Sequence, residues 1–108
     1  MSDLVTRLED MLNTGQDNLL LRFGLGKAYA EQEQYEKAIM HLKRALELDP
    51  THSSSGFWLG RSYFEMGDLT KAHEVFETAR MTAETRGDIQ TIKMIDVFLR
   101  RIAKQRSV

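Results

Sequence analysis

The sequence predicts an all-α protein in which antiparallel helix-turn-helix units stack as a short solenoid of about six helices. Three observations predict it. The chain repeats itself at an offset of 34 residues, apolar positions within each copy recur at helical spacing, and an amphipathic segment flanks the two copies on either side. With 108 residues, 42% of them hydrophobic, and a single proline, the chain is sized for one modest core and reads as a single domain over residues 1–108.

The first element is a short helix carried by Leu4, Leu8, Met11 and Leu12, with Ser2 or Asp3 as its cap and an end near Asn13 to Gly15. Residues 1–17 thus form an N-terminal capping helix, and Asp17 is placed to cap the helix that follows. Residues 19–52 then align with residues 53–86. The pairs Phe23/Phe57, Leu25/Leu59, Gly26/Gly60, Tyr29/Tyr63, Glu31/Glu65, Lys37/Lys71, Ala38/Ala72, Ala45/Ala79 and Thr51/Thr85 are identical, where about two matches are expected from composition. Each copy reads as two helices. Leu25, Gly26 and Tyr29 mark the first, and Ala38, Leu42, Ala45 and Leu46 mark the second, across the polar stretch Gln32 to Gln34. Gly26 with Ala38, and Gly60 with Ala72, remove bulk where the paired helices approach, and Tyr29 or Tyr63 is expected to fill the gap. Asp49-Pro50 closes the first copy, because proline disfavours helical geometry in the residue before it. Gly67-Asp68 supplies a turn and a cap in the second. Gly87-Asp88 then stops one helix and starts another, and Ile89, Ile92, Ile95, Phe98, Leu99 and Ile102 form the apolar stripe of a C-terminal capping helix over 88–106. Two copies alone bury too little surface, so both flanking helices are assigned to covering the ends of the stack.

Composition narrows function by exclusion. A formal charge of −1 provides no global attraction to nucleic acid, and no apolar run is long enough to span a membrane. The lack of cysteine removes disulfides and thiolate metal sites, and with an acidic, non-apolar N-terminus it leads us to expect a cytoplasmic protein. Gly24-Leu25-Gly26 resembles part of a dinucleotide fingerprint, but its third small residue would fall on Tyr29. His41, His52 and His73 lack metal-ligand spacing, with His41 and His73 expected on outer surfaces. No string of catalytic residues occurs, so no catalytic residue, metal or cofactor is assigned and the chain is not expected to be an enzyme.

The strings LGKAY (25–29) and LGRSY (59–63), followed by Ala38 then Ala45 and by Ala72 then Ala79, with Pro50 after the first copy, resemble the signature of the tetratricopeptide repeat. The resemblance covers about two thirds of the chain. Glu84 stands where a closing proline belongs, so the last helix of the second copy is expected to run on to Gly87. Arg22 and Gly56 occupy the places of an early tryptophan, while Trp58 lies two residues beyond. The resemblance implies a right-handed solenoid whose first helices line a concave groove that receives an extended peptide or a partner helix, and hence a non-catalytic adaptor.

Helical spacing puts Leu20, Phe23, Gly24, Lys27 and Glu31, and Ser54, Phe57, Trp58, Arg61 and Glu65, away from the Leu25/Tyr29 and Leu59/Tyr63 faces, which makes them the groove positions. Phe23 and Phe57 serve equally well as core. Relatives that grip acidic chaperone tails use lysine and asparagines where Phe23, Lys27 and Trp58 stand here, so a tight grip on such a tail is not expected. A second candidate surface is the basic end, Lys93, Arg100, Arg101 and Lys104, where an acidic partner or, less favourably, nucleic acid could bind. Homodimerisation through the final helix is a further alternative, with Met94 and Val97 off its main stripe.

Overall fold

Turn chemistry divides the chain into helices where local hydrogen-bonding groups satisfy the free amides of each helix start. The computed structural model describes residues 3–107 and contains, among them, α1 (Asp3–Asn13), α2 (Leu19–Glu31), α3 (Tyr35–Leu48), α4 (Ser53–Glu65), α5 (Leu69–Arg86) and α6 (Ile89–Arg106). Ser2 lies outside the described residues, and Asp3 is the first helical residue rather than a cap. Asn18 caps α2 by accepting from the Leu21 amide, in place of Asp17, whose carboxylate instead meets Arg22 at 2.8 Å and Arg44 at 3.2 Å. The His52 ring accepts from the Ser55 amide, Asp68 from that of Lys71 and Asp88 from that of Thr91. Asp49 is extended before Pro50 and ends α3. Without a proline at position 84, α5 continues to Arg86 and terminates on Gly87, whose φ of 73° is left-handed.

Hairpins α2/α3 and α4/α5 repeat the same packing, α3 seats against α4, and α5 seats against α6. Glycine permits the close approach within each hairpin, and the residue filling the space is not the expected tyrosine. Leu42 packs directly on Gly26 and Phe76 on Gly60, where an added Cβ would stand 2.6 Å from the phenyl ring. Tyr29 turns instead to His41, stacking at 5.6 Å and donating its hydroxyl proton to Glu9 of α1. His41 is accordingly in the interior, 2% exposed, not on the outer surface. The core continues through Leu21, Leu25, Leu42, Phe57, Phe76, Ile95 and Ile102. Leu8 of α1 lies against Gly24, which removes Gly24 from the open face.

Helices α2, α4 and α6 pack in series, whereas α3 and α5 stand further apart. An open apolar cleft of about 390 Å³, floored by Gly56 and Leu59 and walled by Leu46 and Val75, separates them. Wider spacing in one layer than in the other bends the stack, so the α2/α4/α6 layer forms its inner face. None of the described helices is long and apolar enough to cross a membrane.

Candidate functional site

The inner face carries a row of alternating cations and aromatic rings that crosses three helices. Lys27 of α2 projects its ammonium over the Trp58 ring of α4, 5.8 Å from the centroid. Arg61, one turn beyond Trp58, lies 5.0 Å from the same ring and 5.7 Å from Phe98 of α6. Arg101 covers Phe98 at 5.0 Å. The row therefore runs Lys27, Trp58, Arg61, Phe98, Arg101. Phe98 is held edge-on by Phe57 at 5.7 Å and Phe64 at 5.2 Å and is stacked with Phe76, so the aromatic floor is rigidly seated in the core.

The charges of this row are unneutralised. Among the described residues, no carboxylate comes within ion-pair distance of Lys27, Arg61 or Arg101. Glu31 and Glu65 stand one helical turn beyond Lys27 and Arg61, a spacing at which pairs form readily, yet both cations turn to the ring. Arg22 and Arg44 share Asp17, and Arg80 binds Asp96 at 2.7 Å and Glu84 at 3.3 Å, whereas Arg86 and Arg106 hydrogen-bond to Thr51 and Thr70. These contacts hold the Asp17 and Asp96 carboxyls below the usual aspartate range, mainly through hydrogen bonds from Arg22 and Arg80 respectively.

The residues singled out from the sequence separate into three sets. Lys27, Trp58 and Arg61 come together, half-buried, and Glu31 and Glu65 are exposed at the ends of their helices. Leu20 is 73% exposed at the start of α2, and Ser54 is half-buried near the start of α4. Phe57 is a core residue, 3% exposed among Trp58, Phe76 and Phe98, and leaves the groove set because its ring has no surface to offer. Phe23 is half-buried, packed on the core and edge-on to His52 at 5.0 Å. The basic end divides as well. Arg101 joins the inner row, while Lys93, Arg100 and Lys104 are exposed and carry no ring contact. Sequence reading missed Phe98 as the seat of Arg61 and Arg101, itself buried at 8% exposure; the available signal was that α6 follows α5 as α4 follows α3, and so extends the inner layer. Met94 is packed partly into the core and Val97 is 37% exposed.

The comparisons agree with this architecture. A family model described as tetratricopeptide repeat matches residues 29–93. A TPR repeat-containing protein of Pseudomonas aeruginosa is 42% identical over 104 residues, covering 96% of this chain and 99% of that one. The solution structure of a Bordetella parapertussis protein superposes with a TM-score of 0.85 at 47% identity, covering 97% of this chain and 91% of the other. The TPR2B domain of yeast Sti1, solved in complex with pHsp70, gives a TM-score of 0.85 at 17% identity over 94% of this chain and 81% of its own, a likeness of fold. With the family model spanning the second hairpin and its neighbours on both sides, and relatives aligned over nearly all of both chains, the chain belongs to the tetratricopeptide repeat family.

Proposed function

We propose that this protein is a non-catalytic adaptor that docks an extended peptide or a partner helix on the inner face of α2, α4 and α6, acting in the cytoplasm. The observation that carries the reading is the Lys27–Trp58–Arg61–Phe98–Arg101 row, which combines the half-buried Trp58 ring with cations seated on rings rather than in ion pairs with described carboxylates. Tryptophan and arginine in a partly desolvated setting are the residue types that dominate binding energy at protein interfaces. Affinity capture from the source lysate tests it, comparing the unaltered protein with Trp58→Ala/Arg61→Glu and with Arg100→Glu/Lys104→Glu, each checked for folding. A partner lost only with the first variant supports the reading. Loss only with the second moves function to the basic end, and an unchanged partner set for both contradicts it.

Self-association through α6 is the second reading, favoured by Val97 and Ile89, which are 37% and 63% exposed on that helix. A melting temperature that rises with protein concentration is its expected signature, and a constant one eliminates it.

A further inference from the structure

We infer that copies of this chain join head to tail, α6 of one copy seating against the open side of α1 of the next. This rests on self-association, the second reading above, and names the surface that meets α6. Docking on the inner face does not depend on it.

Two kinds of helix alternate along the chain. In hairpins α2/α3 and α4/α5 a first helix packs on its own second helix, and α3 then seats against the next first helix, α4. α5 seats against α6, and α1 against α2, in the same order. The 34-residue period carries this assignment back to α1. Residues 35–48, which are α3, fall on residues 1–14 when shifted by 34, with Leu42 on Leu8 and Leu46 on Leu12. α1 is thus a second helix with no first helix beside it among those described, and α6 is a first helix with no second.

Exposure marks where each mate belongs. In α3 and α5 the side turned to the mate is Ala38, Leu42 and Ala45, and Ala72, Phe76 and Ala79, all of them buried. The corresponding residues of α1 are Leu4, Leu8 and Met11. Leu4 is 46% exposed, Met11 39% and Leu8 half-buried, so solvent reaches apolar side chains at positions that both repeats bury. In α6 the place of Gly26 and Gly60 is taken by Met94, half-buried, with Lys93 and Val97 exposed beside it. Larger residues on both surfaces set the seam wider than a hairpin, and their apolar bulk fills the added width.

Charge selects α1, rather than a second α6, as the occupant. α1 carries Asp3, Glu9 and Asp10 against Arg7, whereas α6 carries Lys93, Arg100, Arg101, Lys104 and Arg106 against Asp96, which is bound to Arg80. Asp3, Asp10, Lys93, Arg100 and Lys104 are all exposed. Two α6 helices face to face set like charges together, and α6 on α1 sets opposite ones. Because the two surfaces differ, each join leaves one of each kind open, and growth continues beyond a pair. The joined α6 and α1 stand in for a hairpin, so the α2/α4/α6 layer of one copy runs on into that of the next and lengthens the inner face.

Sedimentation of the unaltered protein from about 10 μM to 1 mM tests this, a range set by the weak binding expected of a seam one helix long. The expected result is an average mass that rises past twice the 12.5 kDa of one chain, with no plateau there. Asp10→Lys/Met11→Lys on α1 and Lys93→Glu/Arg100→Glu on α6 alter exposed side chains only, and each variant is checked for helicity and cooperative melting. Each alone should sediment as a single chain. Their equimolar mixture should associate again, because the intact α6 of the first meets the intact α1 of the second. Association of the α1 variant alone, with none of the α6 variant and no rescue on mixing, would overturn the head-to-tail seam and leave pairing of α6 with α6. Association of both variants alone, or single chains from both with no rescue on mixing, would also overturn it. A single-chain mass for the unaltered protein throughout would overturn this inference and self-association together, leaving the inner-face reading to the capture experiment.

Discussion

His41 shows how much a single buried side chain commits. Its Nδ1 lies 2.9 Å from an Arg22 amino group, which can only donate, so Nδ1 accepts and the ring proton sits on Nε2, where it is buried without a partner. Protonating the ring would set a second N–H against the Arg22 guanidinium. Burial is the largest influence and lowers the His41 pKa; Arg22 and Lys37 act in the same direction, against Glu9 and Asp17. A depressed pKa means that the folded state binds fewer protons than the unfolded chain, so stability is full above the unfolded value of 6.5 and is lost as pH falls below it. We expect the unaltered protein to lose more stability than His41→Gln as pH falls below 6.5, measured by urea denaturation. Parallel curves for the two would contradict this. Glu33 is a second strained position, with φ of 60°, and its counterpart 34 residues on is Gly67 at 84°. No atom crowds Gly67, so Gly67→Ala is expected to lose about 1 kcal/mol through backbone conformation alone. Glu33→Gly should leave stability unchanged or raise it by up to about 1 kcal/mol, because relief of the left-handed strain is offset by a more disordered unfolded chain.

Helices follow from local chemistry, and they were the most legible part of the sequence. The stop at Asp49-Pro50, the restart at Gly67-Asp68 and the extension of α5 to Gly87 each depend on residues adjacent in the chain, and each appears where the pattern put it. What eluded the pattern was tertiary. Asp17 and Asn18 are both competent caps, and Asn18 holds the role while Asp17 is drawn to Arg22 and to Arg44 of another helix. The periodicity marked Gly26 and Gly60 as points of close approach but could not tell that Leu42 and Phe76, rather than tyrosines, fill them. Gly60→Ala tests that packing. Alanine favours the helix by about 1 kcal/mol, yet its Cβ would press on the fully buried Phe76 ring, and we expect a net loss of about 1–2 kcal/mol in chemical denaturation. A gain in stability would mean the ring can move aside.

At the scale of the whole molecule, the inner face exists because α6 does more than close the end of the stack. It supplies Phe98 and Arg101 to a row begun by Lys27 on α2, and it keeps Phe57 and Phe76 covered. Helical spacing placed Lys27, Trp58 and Arg61 on one face, but the join between that face and the basic end depends on how α6 seats against α4, which no window of sequence contains. Phe57 and Trp58 illustrate the same limit: they are neighbours in the chain, and packing sends one ring into the core and leaves the other at the surface. The most direct test of the inner face as the docking surface is site-specific photo-crosslinking in the source cells. A benzophenone side chain is placed at Glu31 or Val97, at the edges of the row, and at Glu74 or Met81 on the outer layer, each variant first checked for folding. We predict partner adducts from Glu31 and Val97 and none from Glu74 or Met81. Adducts from the outer positions alone would contradict the assignment and move the binding surface to the opposite side of the solenoid.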